Sequence, residues 1–205
     1  MSIKIFRACT ISGSWGLLAG QLKFLSNYYE ITAVSSPGEQ LNETRLSEGV
    51  RTIAIPMRRR ISLLKDFVSL IRLVLLFYKE KPDMVHSITP KAGLLSMLAG
   101  WITRVPVRMH TFTGLIFPTA TGVRQKILIA TDRLTCFCAT HVNPEGEGVK
   151  RDLINYKITH KPLRIIANGN VNGIDLSYFQ PLTQKVEPHD GFVFCFVGRI
   201  VRDKG

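Results

Sequence analysis

The fold class follows from one stretch of the sequence, Met84-Val-His-Ser-Ile-Thr-Pro-Lys-Ala-Gly-Leu-Leu-Ser-Met-Leu-Ala-Gly-Trp-Ile-Thr-Arg-Val-Pro-Val-Arg-Met-His-Thr-Phe112. It predicts short strands at 84–87 and 107–112, with a helix at 91–103 between them. A strand, a helix and a second strand in this order are typical of parallel sheets whose strands are joined by crossover helices. We therefore predict an α/β protein.

The same alternation continues along the rest of the chain. Six more strands are predicted at residues 3–9, 30–34, 51–55, 141–143, 163–167 and 192–197. Four more helices are predicted at residues 17–28, 61–79, 124–138 and 147–156. The strands are short apolar runs without in-and-out alternation, as expected where helices cover both faces of a sheet. Together these elements predict a doubly wound, mostly parallel sheet.

The composition of the chain changes after residue 167. An Asn- and Gly-rich loop is followed by Pro181 and Pro188, which flank a polar region before the apolar run at 192–197. Such a stretch is typical of an interdomain linker. We predict a first domain at 1–167, a linker at 168–190 and the start of a second domain at 191–205. A single strand cannot bury both faces, so we expect the rest of that second domain to be truncated.

Composition and charge narrow the function. The 205 residues are 45% hydrophobic and 20% charged, which excludes a disordered chain. Four cysteines without zinc-type spacing favour a reducing cytosol, and the strand at 3–9 leaves no room for a signal peptide. Residues 57–164 carry +11 of the net charge of +12. That region therefore needs an anionic neighbour, either phosphate, acidic lipid or nucleic acid.

Two glycines follow the first strand. Gly13 and Gly16 lie in Thr10-Ile-Ser-Gly-Ser-Trp-Gly-Leu-Leu-Ala-Gly20, where the backbone can approach a ligand closely and a helix N-terminus would favour an anion. The spacing is not the dinucleotide fingerprint, which argues against NAD, and we expect no cofactor and no metal. A plain strand-to-helix turn is the alternative interpretation of this loop.

Residues 57–78 form the most unusual segment. Ser62, Lys65, Ser69 and Arg72 recur at helical spacing, so they make one narrow polar stripe on an otherwise apolar helix. In one interpretation this helix packs between the sheet and a neighbouring helix, and Arg58–Arg60 form a solvated cap. The other docks it at a membrane interface, with Arg58, Arg59 and Arg60 on anionic headgroups.

Two histidines end predicted strands. His86 and His110 both lie where open α/β sheets place their ligand crevices, although either could simply bond a backbone carbonyl. Lys91 lies at a helix start, which is the unfavourable end of the helix dipole for a cation. It is therefore either tolerated in solvent or attracted to a bound anion.

A family resemblance rests on three motifs. Phe196-Val-Gly-Arg-Ile-Val-Arg-Asp-Lys-Gly205 closely resembles the opening motif of the donor domain in glycosyltransferase family 4, enzymes of the GT-B fold. Asn168-Gly-Asn-Val-Asn-Gly-Ile-Asp-Leu-Ser-Tyr-Phe179 resembles the family linker, and His86-Ser-Ile-Thr-Pro-Lys-Ala-Gly-Leu-Leu95 resembles its fourth strand-to-helix segment. The chain is thereby identified as the N-terminal, Rossmann-like half of a GT-B fold.

The resemblance implies a retaining transferase that moves a sugar from a nucleotide-diphosphate sugar, UDP-linked, to an acceptor held by the N-terminal domain. Members most like this sequence assemble bacterial surface polysaccharides or lipid-linked glycans at the inner face of the plasma membrane. Arg199 and Lys204 would hold the donor diphosphate. Gly13, Gly16, His86, Lys91, His110 and Thr113 would lie on the acceptor side of the cleft.

Two departures from the family pattern matter. Thr113 occupies a place where many relatives carry a histidine, with His110 three residues earlier. The paired glutamates of the family are expected beyond Gly205, so we expect no transfer activity from these 205 residues alone. The alternative is a noncatalytic module that docks on membranes or binds a lipid carrier. A nucleic-acid binder ranks last, because the basic stretch lacks interleaved aromatic residues.

Overall fold

A computed structural model describes residues 2–180, 191, 192 and 194–198 of the chain. The described residues form a six-stranded sheet: β1 Lys4–Ala8, β2 Glu30–Ser35, β3 Arg51–Ala54, β4 Met84–Ser87, β5 Val107–Phe112 and β6 His141–Pro144. All neighbouring strands pair in parallel, in the order β3-β2-β1-β4-β5-β6. The predicted Rossmann-like α/β fold is confirmed.

Helices cover both faces of this sheet. The α-helices of the described residues are α1 Gln21–Ser26, α2 Glu39–Glu48, α3 Leu63–Glu80, α4 Pro90–Ile102, α5 Gly122–Cys138 and α6 Glu147–Asn155. Leu22 of α1 and Leu41 of α2 pack on one face of the sheet. Side chains of α3 to α6, among them Leu73 and Leu95, pack on the opposite face. None of these helices is both long enough and apolar enough to cross a bilayer.

Two elements near the N-terminus differ from the prediction. The helix predicted at 17–28 is interrupted, because Ser12–Leu18 forms a 3₁₀ helix and Gly20 adopts a left-handed φ of 78° before α1 begins. The resulting α1 has only six residues, and the anion preference expected at the helix start after Gly13 and Gly16 stays a prediction. Helix α2 was missed altogether, since its sequence is polar and carries no apolar periodicity.

Two predicted strands are absent from the described part of the chain, which leaves out Val193. At 163–167 the chain makes only one parallel bridge, between Leu163 and Val142, and then turns away through a hydrogen bond from the Gly169 N–H to the Ile166 carbonyl. Residues 192 and 194–197 carry no strand, and Phe192 and Phe194 are exposed. A strand needs a neighbouring strand to satisfy its backbone, and the described residues supply none there.

The chain divides into two compact units, Met1–Asn172 and Gly173–Gly205. The first contains the sheet and all six α-helices. In the second, the Asp175 carboxylate accepts hydrogen bonds from the Ser177 hydroxyl and from the Ser177 and Tyr178 N–H groups, and these bonds, the hydroxyl bond first, lower its pKa. This local turn lies in the predicted linker; the predicted boundaries at 167 and 190 stay a prediction.

Candidate functional site

The strand order reverses between β1 and β4, and two threonines meet at this switch point. The Thr10 N–H donates to the Thr89 hydroxyl at 2.8 Å, and the two hydroxyl oxygens lie 2.7 Å apart. The Thr10 hydroxyl also accepts the Ala92 N–H at 3.1 Å, in the first turn of α4. Open parallel sheets bind ligands at such points, so this edge is the candidate site.

Other hydroxyls hold the neighbouring strand ends at the same edge. The Ser36 hydroxyl contacts the Thr10 carbonyl at 2.8 Å and accepts the Met57 N–H at 2.7 Å, which joins the ends of β1, β2 and β3. The Thr113 hydroxyl donates to the Ile88 carbonyl at 3.0 Å and joins the ends of β4 and β5. These hydrogen bonds hold the rim of the sheet in a fixed arrangement. Thr113 contributes to it through the bond from its hydroxyl to a backbone carbonyl.

Gly13 and Gly16 lie on the exposed side of the 3₁₀ helix after β1. A Cβ atom added at either position would meet no atom within 4 Å, and neither glycine needs a left-handed φ. The fold thus places no demand for glycine at these two positions. The open space beside them suits a ligand that approaches the backbone, as the sequence predicts, and a plain turn would tolerate side chains equally well.

His86 lies in a polar row on the sheet face that carries α1 and α2. Its Nε2 atom is 2.8 Å from the Thr111 hydroxyl. Burial, and then the charges of Arg7 and His110, hold the pKa of His86 well below 6.5, so the imidazole is neutral. Beside it, Arg7 is only 5% exposed and donates to the Gln21 side-chain oxygen at 2.8 Å.

This polar row lines a cavity of about 530 Å³ beside α1. Arg7, His86, Thr111 and Asn143 form its polar wall, and Phe24 lies among its apolar residues. The Nε atom of Arg7 is buried without a hydrogen-bond partner among the described residues, and burial lowers the pKa of this guanidinium to about 10. Arg7 and Asn143 were not predicted from the sequence; the signal that could have revealed Arg7 is a cation inside a buried parallel strand.

The structure separates His110 from His86. His110 lies on the opposite sheet face, 1% exposed, with Nδ1 2.8 Å from the Ser87 hydroxyl. Its ring packs edge-on against Phe112 with a centroid distance of 4.4 Å, and it lies directly under Gly93 of α4. Burial lowers its pKa to about 4. His110 therefore supports α4 from below, and a ligand at the rim would not contact its ring in this conformation.

Lys91 contacts a protein partner that was not predicted from the sequence. Its Nζ lies 2.7 and 2.8 Å from the two Asp66 carboxylate oxygens, and it also donates to the Arg60 carbonyl at 2.5 Å. Asp66 in turn accepts the Ser62 N–H at 3.0 Å, at the start of α3. The cation at the start of α4 is thus compensated by a carboxylate, and the pair joins the first turns of α3 and α4.

We expect Lys91→Met to lower the free energy of unfolding by about 2 kcal/mol, because it removes charged hydrogen bonds from a mostly buried pair. Asp66→Asn should cost a similar amount, and the double variant should cost less than the sum of the two. The matched control is Arg51→Met, which breaks an exposed pair with Glu80 and should cost less than about 1 kcal/mol. Urea unfolding measures all four; additive losses from the Lys91 and Asp66 variants would contradict the coupling.

The remaining predicted residues lie in a loop next to the rim or outside the described residues. Arg58, Arg59 and Arg60 are exposed in the loop between β3 and α3. Arg199 and Lys204 lie outside the residues that the structure describes. The geometry thus brings together hydroxyls, a neutral histidine and cations, which can orient a polyhydroxylated or anionic ligand.

Comparisons with known proteins are consistent with a site for such a ligand. Residues 25–169 match the family model described as a glycosyl transferase 4-like domain. The chain is 37% identical, over 98% of its length, to the capsular polysaccharide biosynthesis glycosyltransferase CapM of Staphylococcus aureus, of which it covers 54%. It is 31% identical, over 76% of its length, to UDP-Gal:alpha-D-GlcNAc-diphosphoundecaprenol alpha-1,3-galactosyltransferase of Escherichia coli, of which it covers 42%. The chain therefore spans about half the length of these relatives.

The fold also has solved counterparts. A glycosyltransferase from Rickettsia africae superposes with a TM-score of 0.64 at 18% identity, over 89% of this chain and 46% of that one. At this level of identity the superposition establishes the shared fold alone. It also agrees with the sequence relatives in matching this chain to about half of a longer protein.

Proposed function

Because the chain belongs to the glycosyl transferase 4-like family, we propose that it is the acceptor-binding half of a retaining glycosyltransferase. The complete enzyme would transfer a sugar from a nucleotide-diphosphate donor, UDP-linked, to a lipid-linked or polysaccharide acceptor of a bacterial surface glycan. The observation that carries this proposal is the 37% identity with a capsular polysaccharide glycosyltransferase over 98% of this chain.

The acceptor would bind at the carboxyl edge of the sheet. Gly13 and Gly16 leave open space there, and the Thr10–Thr89 contact fixes the start of α4 at the switch point. The neighbouring arginine loop, Arg58–Arg60, supplies positive charge that attracts a diphosphate-linked acceptor. The E. coli relative supports this chemistry, since its name specifies a diphosphoundecaprenol acceptor and a UDP-sugar donor.

The same chemistry suggests where the protein works. A polyprenyl diphosphate remains in the bilayer, so an enzyme that uses it must work at the membrane surface. We place the protein in the cytoplasm, peripheral on the inner face of the plasma membrane. The cationic region at 57–164 suits the anionic lipids of that face.

The roles proposed for this half are binding and orientation. The rim hydroxyls hold the strand ends in fixed positions, which lowers the entropic cost of aligning an acceptor hydroxyl. His86 is held neutral by burial, so it can accept or donate a hydrogen bond without bringing a charge to the cavity. Arg199 and Lys204 are proposed to hold the donor diphosphate through charge-assisted hydrogen bonds.

Equilibrium binding to the 205-residue chain tests the proposal. A short-chain prenyl-diphosphate N-acetylglucosamine, soluble without detergent, is expected to bind, whereas mixing it with UDP-galactose should give no transfer by this chain alone. Binding of neither the glycan nor the lipid part would contradict an acceptor domain. Binding of the prenyl diphosphate with no contribution from the sugar would favour the noncatalytic lipid-carrier module instead.

The Gly16→Leu variant tests in the same binding experiment whether the acceptor lies next to this loop. Because a Cβ atom added at Gly16 would meet no atom within 4 Å, we expect unchanged thermal stability and at least tenfold weaker acceptor binding. Gly148→Leu is the matched control, since Gly148 in α6 is equally open and is not a predicted cleft residue. Equal acceptor affinity in wild type and Gly16→Leu would show that this loop is a plain strand-to-helix turn.

A further inference from the structure

We propose that the outer face of α3, α4 and α5 is a flat docking surface for an anionic lipid bilayer. This inference rests on the proposed function for its setting and adds to it the surface and the orientation. The polar stripe predicted for the helix at 61–79 is split in the structure. Ser69 turns inward and donates to the Pro56 carbonyl at 2.5 Å, whereas Lys65 and Arg72 are exposed.

With Ser69, Leu73 and Phe77 facing the core, the opposite side of α3 has no partner among the residues that the structure describes. Leu64, Phe67, Ile71, Leu75 and Tyr78 recur at helical spacing on that side, and exposure reaches 84% at Leu64 and 74% at Tyr78. The fourteen steps from Leu64 to Tyr78, at a rise of 1.5 Å each, make this stripe about 21 Å long. Single exposed apolar residues are ordinary, but a continuous stripe indicates an interface.

A second stripe runs along α5, on the other side of α4. Val123, Ile127, Leu134 and Phe137 are exposed at helical spacing. Helix α4 packs between α3 and α5 and adds Trp101, whose ring centroid lies 6.3 Å from that of Phe137. The exposed apolar side chains are therefore distributed over the whole layer, not confined to the helix that follows the arginines.

The charges of this layer identify its partner. Asp66, Glu80 and Asp132 are the acidic residues of α3, α4 and α5, and all three are at least partly buried, the first two in ion pairs. Exposed cations of the layer are Lys65, Arg72, Lys79, Arg124, Lys126 and Arg133, and the arginine loop Arg58–Arg60 adds three at one end. A second copy of the chain would bring like charges together, whereas anionic headgroups complement them.

Docking by this layer sets the orientation of the sheet. Helix α3 crosses from the carboxyl end of β3 to the start of β4, so it runs antiparallel to the strands. If the whole outer face lies on the bilayer, the strands run along the membrane plane. The rim of the sheet then opens sideways, beside the headgroups, where a lipid-linked acceptor would present its diphosphate.

Vesicle flotation of the 205-residue chain tests the surface. We expect binding to vesicles that contain phosphatidylglycerol, and little to phosphatidylcholine alone. Replacing Arg72, Lys79 and Lys126 with Gln should weaken binding by on the order of a hundredfold, at roughly fivefold for each charge. Replacing Lys23, Arg45 and Arg151, exposed cations outside the layer, is the matched control and should have little effect. Equal loss in the two triple variants would overturn the proposal.

Fluorophores test the orientation. Single cysteines at Leu64, Tyr78 and Phe137, in a background in which exposed Cys195 is Ser, carry a polarity-sensitive probe. Flat docking predicts a blue shift at all three positions. A shift at position 64 alone would mean attachment through the arginine loop and would overturn flat docking. Dimerisation without vesicle binding, abolished by Phe137→Ser, would overturn the bilayer as occupant. The soluble-acceptor assay needs no vesicle, so its result is independent.

Discussion

Gly93→Ala is expected to lower the free energy of unfolding by about 2 kcal/mol, although alanine is the better helix former. A Cβ atom at Gly93 would lie 2.4 Å from Cε1 and 2.8 Å from Nδ1 of His110. The ring cannot move aside, because it is bonded to Ser87 and packed edge-on against Phe112. The contact of α4 with the His110 ring therefore requires glycine at position 93.

Thermal unfolding measures this effect, and about 2 kcal/mol corresponds to a fall of roughly 4–8 °C in Tm for a chain of this size. Gly148→Ala is the control, because Gly148 is also helical but an added Cβ would meet nothing within 4 Å. It should be neutral or slightly stabilising. Adding His110→Ala to Gly93→Ala should cost less than the two separate losses combined. An unchanged Tm in Gly93→Ala would show that α4 can shift away from the sheet.

The sheet was largely predictable from the sequence because its strands are short apolar runs separated by helical segments. Strands β4 and β5 match the predicted bounds, and α4 differs by one residue at each end. Helix α2 was not predicted because its buried residues, Leu41, Thr44 and Glu48, include only one apolar side chain. The Glu48 carboxylate points inward and accepts hydrogen bonds from the Gly20 and Lys23 N–H groups. The stability of α2 comes from these tertiary contacts, and local sequence does not reveal them.

The site was less predictable because it depends on the strand register and on the face of the sheet that each side chain occupies. His86 pairs in register with Met109, and Ser87 pairs with His110, so the two histidines occupy opposite sheet faces. A shift of one residue in that register would have placed them on the same face. The sequence likewise contains nothing that brings Asp66 to Lys91, which is 25 residues away. Both facts follow from how the strands align and how α3 packs on α4.

The proposed acceptor side and the proposed docking surface share structural support. The Lys91–Asp66 pair lies between the first turns of α3 and α4, and Lys91 also holds the Arg60 carbonyl. The arginine loop is thereby held next to the rim of the sheet. A rigid link of this kind would keep the rim at a constant distance from the headgroups. Loss of the pair should therefore disturb both acceptor affinity and vesicle binding, beyond its effect on stability.

Acidification from pH 6.5 to pH 4 is expected to remove about 3 kcal/mol of folding free energy through His110 alone. Its pKa is about 4 in the folded chain against 6.5 for an ordinary histidine, so the unfolded chain takes up the proton first. The contribution is fully present above pH 6.5 and is lost as the pH falls. His86 acts in the same direction, whereas Asp132, whose pKa burial raises to about 7, acts in the opposite one.

A difference measurement isolates His110 from these other groups. His110→Asn does not titrate, so the gap in unfolding free energy between wild type and this variant should shrink by about 3 kcal/mol between pH 6.5 and pH 4. A gap independent of pH would mean that water reaches the His110 ring. The close packing of α4 on that ring, which makes Gly93 necessary, excludes water and produces the low pKa.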